Sequence, residues 1–188
     1  MAILDILVFP NPLLRQKCAP IGAFDDALKI LVENMFETMY DAPGVGLAAN
    51  QIGELKRILV IDVDYQIEGD DEQTRRLVNQ KPQIFINPEI VEKFGSVLYK
   101  EGCLSVPGTY EEVKRFAKAT FKYQDIKGAT QELKADGLLA IAIQHEIDHL
   151  EGKLFIDRLS ELKKSMIKGK LIKQRSKKFE RSRFHVEL

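Results

Sequence analysis

Residues Leu138 to Ile143 read LLAIAI, and the stretch Gln144 to Leu150 that continues them reads QHEIDHL. A helix through both is apolar on every side in its first half, so it has no face to offer water and must run through the middle of the fold. Everything else has to be laid around it. Its second half then carries histidines and carboxylates into the interior, where polar groups without partners are expensive. The core of that half is HExxH, a spacing that puts His145 and His149 one turn apart on one helix face, where two imidazole nitrogens can reach one metal ion. Glu146 is rotated about 100° from His145, too far round for a third ligand and near enough to exchange a proton with a metal-activated water.

The rest of the chain supplies what such a helix needs. Asp136 is a suitable N-cap, and Gly152 marks the expected end. Upstream, Asp25 or Asp26 caps an expected amphipathic helix with Leu28, Leu31, Val32, Met35, Phe36, Met39 and Tyr40 on one stripe, ending near Asp41 before Pro43 and Gly44. Arg57 to Val63, Gln83 to Val91, Ser96 to Leu104 and Phe116 to Tyr123 read as strands, the last with Ala117, Ala119, Phe121 and Tyr123 alternating against Lys118, Thr120 and Lys122. The expected fold class is α+β, with antiparallel strands packed around a buried central HExxH helix, an N-terminal helix and a C-terminal helix. Gly44 to Gly53, GVGLAANQIG, is too rich in glycine and alanine for an ordinary strand or helix, and lacks the pattern of a phosphate loop. Asp64 to Pro82 reads as a solvated loop whose acids lack the spacing of a calcium site.

A length of 188 residues suits a single domain spanning 1–188, and 45% hydrophobic with 30% charged residues describes an ordinary globular protein. Without a long apolar run or a signal-peptide pattern, a cytoplasmic location is expected, with neither membrane nor DNA as a partner. In that reducing setting the two cysteines, Cys18 and Cys103, call for separate explanations. Charge is uneven: residues 161–188 carry 10 Lys and Arg against 3 Asp and Glu, while the body before them is acidic. From Ser160 onward a basic helix or tail is expected, with Leu162, Met166 and Leu171 as an interrupted apolar stripe.

Two histidines leave a catalytic metal one protein ligand short. Reading onward, HEIDHLEGKLF follows the HExxHxxGxxH pattern until its last position, where Phe155 stands and cannot bind a metal. A glutamate about twenty residues on fails too, since position 169 is glycine. Reading backward, Cys103 in EGCLS follows Gly102 at the end of an expected strand, and one Cys with two His is a known catalytic set with a fourth position open. Its other reading is a small buried hydrophobe. Cys18, in KCAP, has the setting of a packed thiol.

With GVGLAANQ, EGCLS and QHEIDHL in that order, nearly the whole chain resembles a bacterial peptide deformylase. The resemblance implies Cys103, His145 and His149 as metal ligands and Glu146 as general base and acid. It implies Gln51 and the backbone N–H of Leu104 as the groups that stabilise the oxyanion. The implied reaction removes the N-formyl group from the initiator methionine of newly made polypeptides, releasing formate. Gly44, Val45 and Gly46 would hold the peptide main chain, and Val45, Leu138, Ile141 and Ala142 an apolar methionine pocket. Asp148 would pair with Arg115, and Glu101 would orient a ligand histidine. The resemblance points to Fe(II) as the ion in the cell, with Zn, Ni or Co as alternatives, and to the ribosome as a partner for the basic tail.

Three places depart from the family pattern: the acidic segment Glu68 to Arg76 resembles an insertion, Tyr110 stands where some relatives have arginine, and Ala142 replaces a cysteine. None removes a catalytic group. Two rivals stand beside this reading: a peptidase using the same ligands, and a non-catalytic, metal-stabilised binding protein, against which Glu146 argues.

Overall fold

A computed structural model describes residues 2–69, 74 and 76–183, with side chains through Lys173. Its centre is a five-stranded antiparallel sheet, ordered β1 (Gly46–Ala48), β2 (Ile58–Ile61), β5 (Gln83–Phe94), β8 (Lys118–Gln124) and β9 (Thr130–Asp136). Helix α1 (Asp26–Asp41) covers one face and α2 (Gly137–Leu150) the other. The alternation of β2 divides the interior. Ile58 and Val60 pack with Leu31, Met35 and Met39 of α1, while Leu59 and Ile61 pack with Ala142, Ile143 and Ile147 of α2. A sheet covered on both faces needs strands apolar on both, which is why β2 reads ILVI without alternation and is fully buried.

The apolar run places α2 as expected. Every residue from Ala140 to Leu150 is buried, and Asp136 precedes the helix in an extended conformation, although its side chain makes no capping bond. Asp25 does cap α1, its carboxylate accepting the backbone N–H of Leu28 at 2.9 Å. Gln144 clips α2 to the chain entering β8. Its amide accepts from Phe116 N and donates to Phe116 O, both at 3.0 Å, as a neighbouring strand would.

Several local expectations change. The glycine- and alanine-rich stretch does form β1 and a 3₁₀ turn, Ala49–Ile52, because residues 46–51 are buried against α1 and α2 and small side chains are what fit there. Residues 64–82 are not simply loop: β3 (Gln66–Glu68) and β4 (Arg76–Val78) pair as a ladder tied by Arg76 to Glu68 at 2.7 Å. Asp70, Asp71 and Glu72 within the apparent insertion lie outside the described residues. The strand expected over Ser96 to Leu104 ends earlier, as β6 (Val97–Glu101), so Cys103 and Leu104 sit in the turn after it. Its partner β7 (Glu111–Arg115) and the edge strand β9 escaped notice because Val113 is the one apolar residue of EEVKR and TQELKAD is mostly polar.

The C-terminal helix α3 (Glu161–Arg183) buries Leu171 of the expected stripe but leaves Leu162 and Met166 outside. Ile167 and Leu171, one turn apart, join Leu14, Val106, Val113, Phe155 and Ile156, whereas Leu162 and Met166 stand 73% and 67% exposed. Lys163 and Lys164 pair with Glu111 and Asp157 at its start, on the side that Ile167 and Leu171 turn toward the body. Among the described residues no helix is long and apolar enough to cross a membrane.

Candidate active site

Three segments far apart in sequence meet at one end of α2. The helix contributes His145, Glu146 and His149, the turn after β6 contributes Cys103, and the 3₁₀ turn after β1 contributes Gln51. One ligand atom each from Cys103, His145 and His149 lies within 4.8 Å of the others, and Cys103 Sγ is 3.2 Å from His149 Nε2. Asn50 fastens the assembly by donating its amide to His149 O at 2.6 Å, and Cys103 O accepts Val106 N at 2.9 Å to close the turn.

Glu101 Oε2 lies 2.8 Å from His145 Nδ1, which turns the other ring nitrogen of His145 toward the cysteine. Behind it, Arg115 donates Nε and Nη2 to Glu101 at 2.6 and 2.8 Å and Nη1 to Asp148 at 2.6 Å. Burial works against both carboxylates, yet Arg115 with His145 holds Glu101, and Arg158 with Arg115 holds Asp148, below the ordinary carboxylate range. Burial also opposes charge on His145, but hydrogen bonds to Cys103 and Glu101 hold that ring well above its ordinary value. Burial drives His149 the other way, and His145 beside it adds to the effect, so its ring is held well below its ordinary value.

Glu146 has the most altered environment of the carboxylates. Burial lifts it to about 7, with His145 pulling downward and Glu101 pushing upward. Its Oε2 has no hydrogen-bond partner among the described residues, and neither has His149 Nδ1. Oε1 lies against β1, and a Cβ on Gly46 would come within 2.7 Å of it. The second glycine of GVG is therefore required by close approach of the helix rather than by an unusual backbone angle.

A thiol and two imidazoles converging beside buried polar atoms without partners form a donor set suited to a borderline-soft divalent cation. Cys103 and His145, with His149 buried behind them, open onto a cavity of about 510 Å³ lined by Gly44, Val45, Gly46, Gln51, Leu104, Leu138, Ile141, Ala142 and Glu146, among others. Gln51 keeps its carbonyl on Ala48 N at 2.8 Å and sends its amide to Ser105 Oγ at 3.1 Å. Val45 and Leu138 are 40% and 37% exposed at the mouth, while Ile141 and Ala142 are buried deeper.

Comparison with known proteins then decides the family. A family model described as polypeptide deformylase matches residues 3–165. The chain belongs to the polypeptide deformylase family. It is 52% identical over 178 residues to peptide deformylase 2 of Xanthomonas axonopodis pv. citri, covering 93% of this chain and 98% of that one. The peptide deformylase of Zymomonas mobilis is 50% identical over 176 residues, covering 93% and 96%. Among solved structures, that of a Legionella pneumophila peptide deformylase superposes with a TM-score of 0.81 at 45% identity, covering 94% of this chain and 98% of that one. An Ehrlichia chaffeensis peptide deformylase in complex with actinonin gives 0.82 at 39%, covering 93% and 98%. Enzymes of this family are metal-dependent hydrolases that remove the N-formyl group from newly made polypeptides, and that is the activity of this enzyme.

Every site residue expected from sequence lies at the cavity or directly behind it. Others were missed. Ser105, inside EGCLS, meets Gln51, and its hydroxyl in that motif was an available signal. Tyr110, singled out in the sequence as standing where some relatives have arginine, was not missed and lies on the cavity wall, so close to Gly102 that a Cβ there would be 2.5 Å from its ring. Arg158, nine residues beyond His149, binds Asp148 through Nε and Nη2 at 2.5 and 2.6 Å, and no local pattern announces it.

Proposed function

We propose that this chain carries out formyl-methionine hydrolysis as one catalytic domain in the cytoplasm, with Cys103, His145 and His149 holding a divalent metal, Fe(II) in the cell and Zn, Ni or Co as substitutes. The reading rests on the convergence of those three donors beside Glu146 and Gln51 at the wall of one cavity. When bound, the metal supplies Lewis acidity that makes water a nucleophile near neutral pH.

The chain's own groups do the rest. Glu146, lifted to about 7 by burial, is poised to accept a proton at Oε1 or Oε2 from the attacking water and to return it to the departing amine. Gln51 Nε2 and Leu104 N–H are donors for the negative charge that grows on the formyl oxygen, and the grip of Ala48 N on the Gln51 carbonyl fixes the amide in advance. An extended peptide would lie beside Gly44, Val45 and Gly46, where β1 begins at the edge of the sheet and main-chain bonding ignores sequence. Val45, Leu138, Ile141 and Ala142 enclose the methionine side chain without polar contacts. Glu101 orients His145, and Arg115 with Asp148 holds Glu101 in turn.

The test is anaerobic purification with metal analysis and a formate-release assay on one sample. Formate release should follow the metal content and vanish in Glu146→Ala; a fully active Glu146→Ala protein sinks the mechanism. The basic end of α3 is read as a ribosome-docking element. Removing residues 174–188 keeps Ile167 and Leu171 in the core and should weaken ribosome binding while sparing hydrolysis of a short formyl peptide. Unchanged ribosome affinity would count against it.

A further inference from the structure

Behind the ligand histidine runs an unbroken line of charge-assisted hydrogen bonds that ends at the surface. His145 Nδ1 meets Glu101, Glu101 takes two donors of Arg115, Arg115 Nη1 reaches Asp148 Oδ2, and Asp148 takes two donors of Arg158. The side chains of Arg115, Glu101 and Asp148 are 1%, 4% and 8% exposed, whereas that of Arg158 is 41% exposed. Both arginine–carboxylate contacts with two donors use the planar fork of the guanidinium, which sets direction as well as distance.

The charge count decides what Arg158 is for. Without it the buried line holds two carboxylates and one guanidinium, and Arg115 must serve both. Asp148 Oδ1 would lose its side-chain partner, and the bare carboxylate would draw Arg115 toward itself. Glu101 would then lose part of its grip, and His145 with it. Arg158 reaches the line from the 3₁₀ turn Phe155–Arg158, which is held separately by Asp157 accepting Leu154 N at 2.9 Å and pairing with Arg15.

We infer that Arg158 is a positioning residue for the metal site: by neutralising Asp148 it frees Arg115 to hold Glu101, which fixes the ring of His145 for coordination. This rests on the reading of Cys103, His145 and His149 as ligands. Arg158 touches neither substrate nor metal and acts through four intervening bonded contacts. Removing a partner that supports a ligand from behind commonly lowers metal affinity by about 10 to 100-fold.

The experiment measures Co(II) binding to the full-length metal-free chain by competition with a chelator, together with the visible absorption of the bound ion. Arg158→Ala should bind Co(II) about 10 to 100-fold more weakly with an altered spectrum. Arg158→Lys, which restores charge without the fork, should recover part of the loss. Arg15→Ala loosens the same 3₁₀ turn without touching the line and should bind as the wild type does. An Arg158→Ala protein within about twofold of wild type overturns the inference, as does an equal loss in Arg15→Ala, since the effect would then belong to the turn. Cys103→Ala separates the two levels: should it bind Co(II) as tightly as wild type, the ligand reading itself fails.

Discussion

Replacing Gly46 with alanine tests how closely Glu146 is held. The new Cβ would stand 2.7 Å from Oε1, 3.0 Å from Cγ and 3.1 Å from Cδ of Glu146. Favourable contacts between unbonded atoms begin at about 3.5 Å, so the two groups must separate by roughly 0.8 Å. Neither yields easily, because Gly46 is in a buried strand and Glu146 is 5% exposed. Overpacking of this kind costs about 1–3 kcal/mol in stability. A misplacement near 1 Å in a reacting group costs about 10² in rate, so kcat/KM for formate release should fall roughly 30 to 100-fold. Glu146→Asp in the same protein removes a methylene from the crowded side. The stability losses of the two substitutions should therefore not add, with a coupling of about 0.5–3 kcal/mol measured by urea unfolding. Strictly additive losses, or a Gly46→Ala enzyme within threefold of wild type, would refute the claim that the glycine is there for the carboxylate.

Gln51→Ala should lower kcat by about 10²–10³ with little change in KM, and Gln51→Glu, which keeps the acceptor for Ala48 N but loses the donor, should fold normally and be as slow. Phe155 is 1% exposed with its ring stacked 6.1 Å from that of His145, so Phe155→Ala should lose about 3–5 kcal/mol in chemical denaturation. Burial opposes the Asp157 carboxylate, but Arg15 and the backbone of Leu154 hold it below its ordinary value. A depressed folded-state value contributes stability above the unfolded value of about 3.9 that disappears as pH falls through the folded one. The stability gap between wild type and Asp157→Asn should accordingly be flat near neutral pH and close in acid; a gap that widens there contradicts the assignment.

The centre of the fold was legible because LLAIAI leaves a helix no choice but burial, and the donors because histidines four apart on such a helix need a partner. Cys103 was legible through its motif, and Phe155 by standing where another family would need a ligand. What stayed hidden depends on contacts between distant segments. β9 is an exposed edge whose charged residues carry no alternation to read. The inward face of α3 is chosen by Ile167 and Leu171 against a core assembled from Leu14, Val106 and Phe155, none of which is near it in sequence. Arg158 matters through a carboxylate ten residues earlier, and Ser105 through an amide fifty-four residues earlier.

The two-sided burial of β2 also bears on how such a chain can diverge. Ile58 and Val60 belong to the interior shared with α1, and that compartment meets the cavity through Leu104, with Gly44 beside it. Leu59 and Ile61 belong to the compartment of α2, where Ala142 is both packing and cavity wall. The sheet therefore works as a partition between a side that mainly fills space and a side that fills space and shapes a substrate. Sequence drift on the α1 side is answerable chiefly to volume, whereas drift on the α2 side is answerable to volume and turnover together. Met39 is the exception on the α1 side, because its carbonyl accepts the N–H of Gly44 at the cavity wall at 2.9 Å.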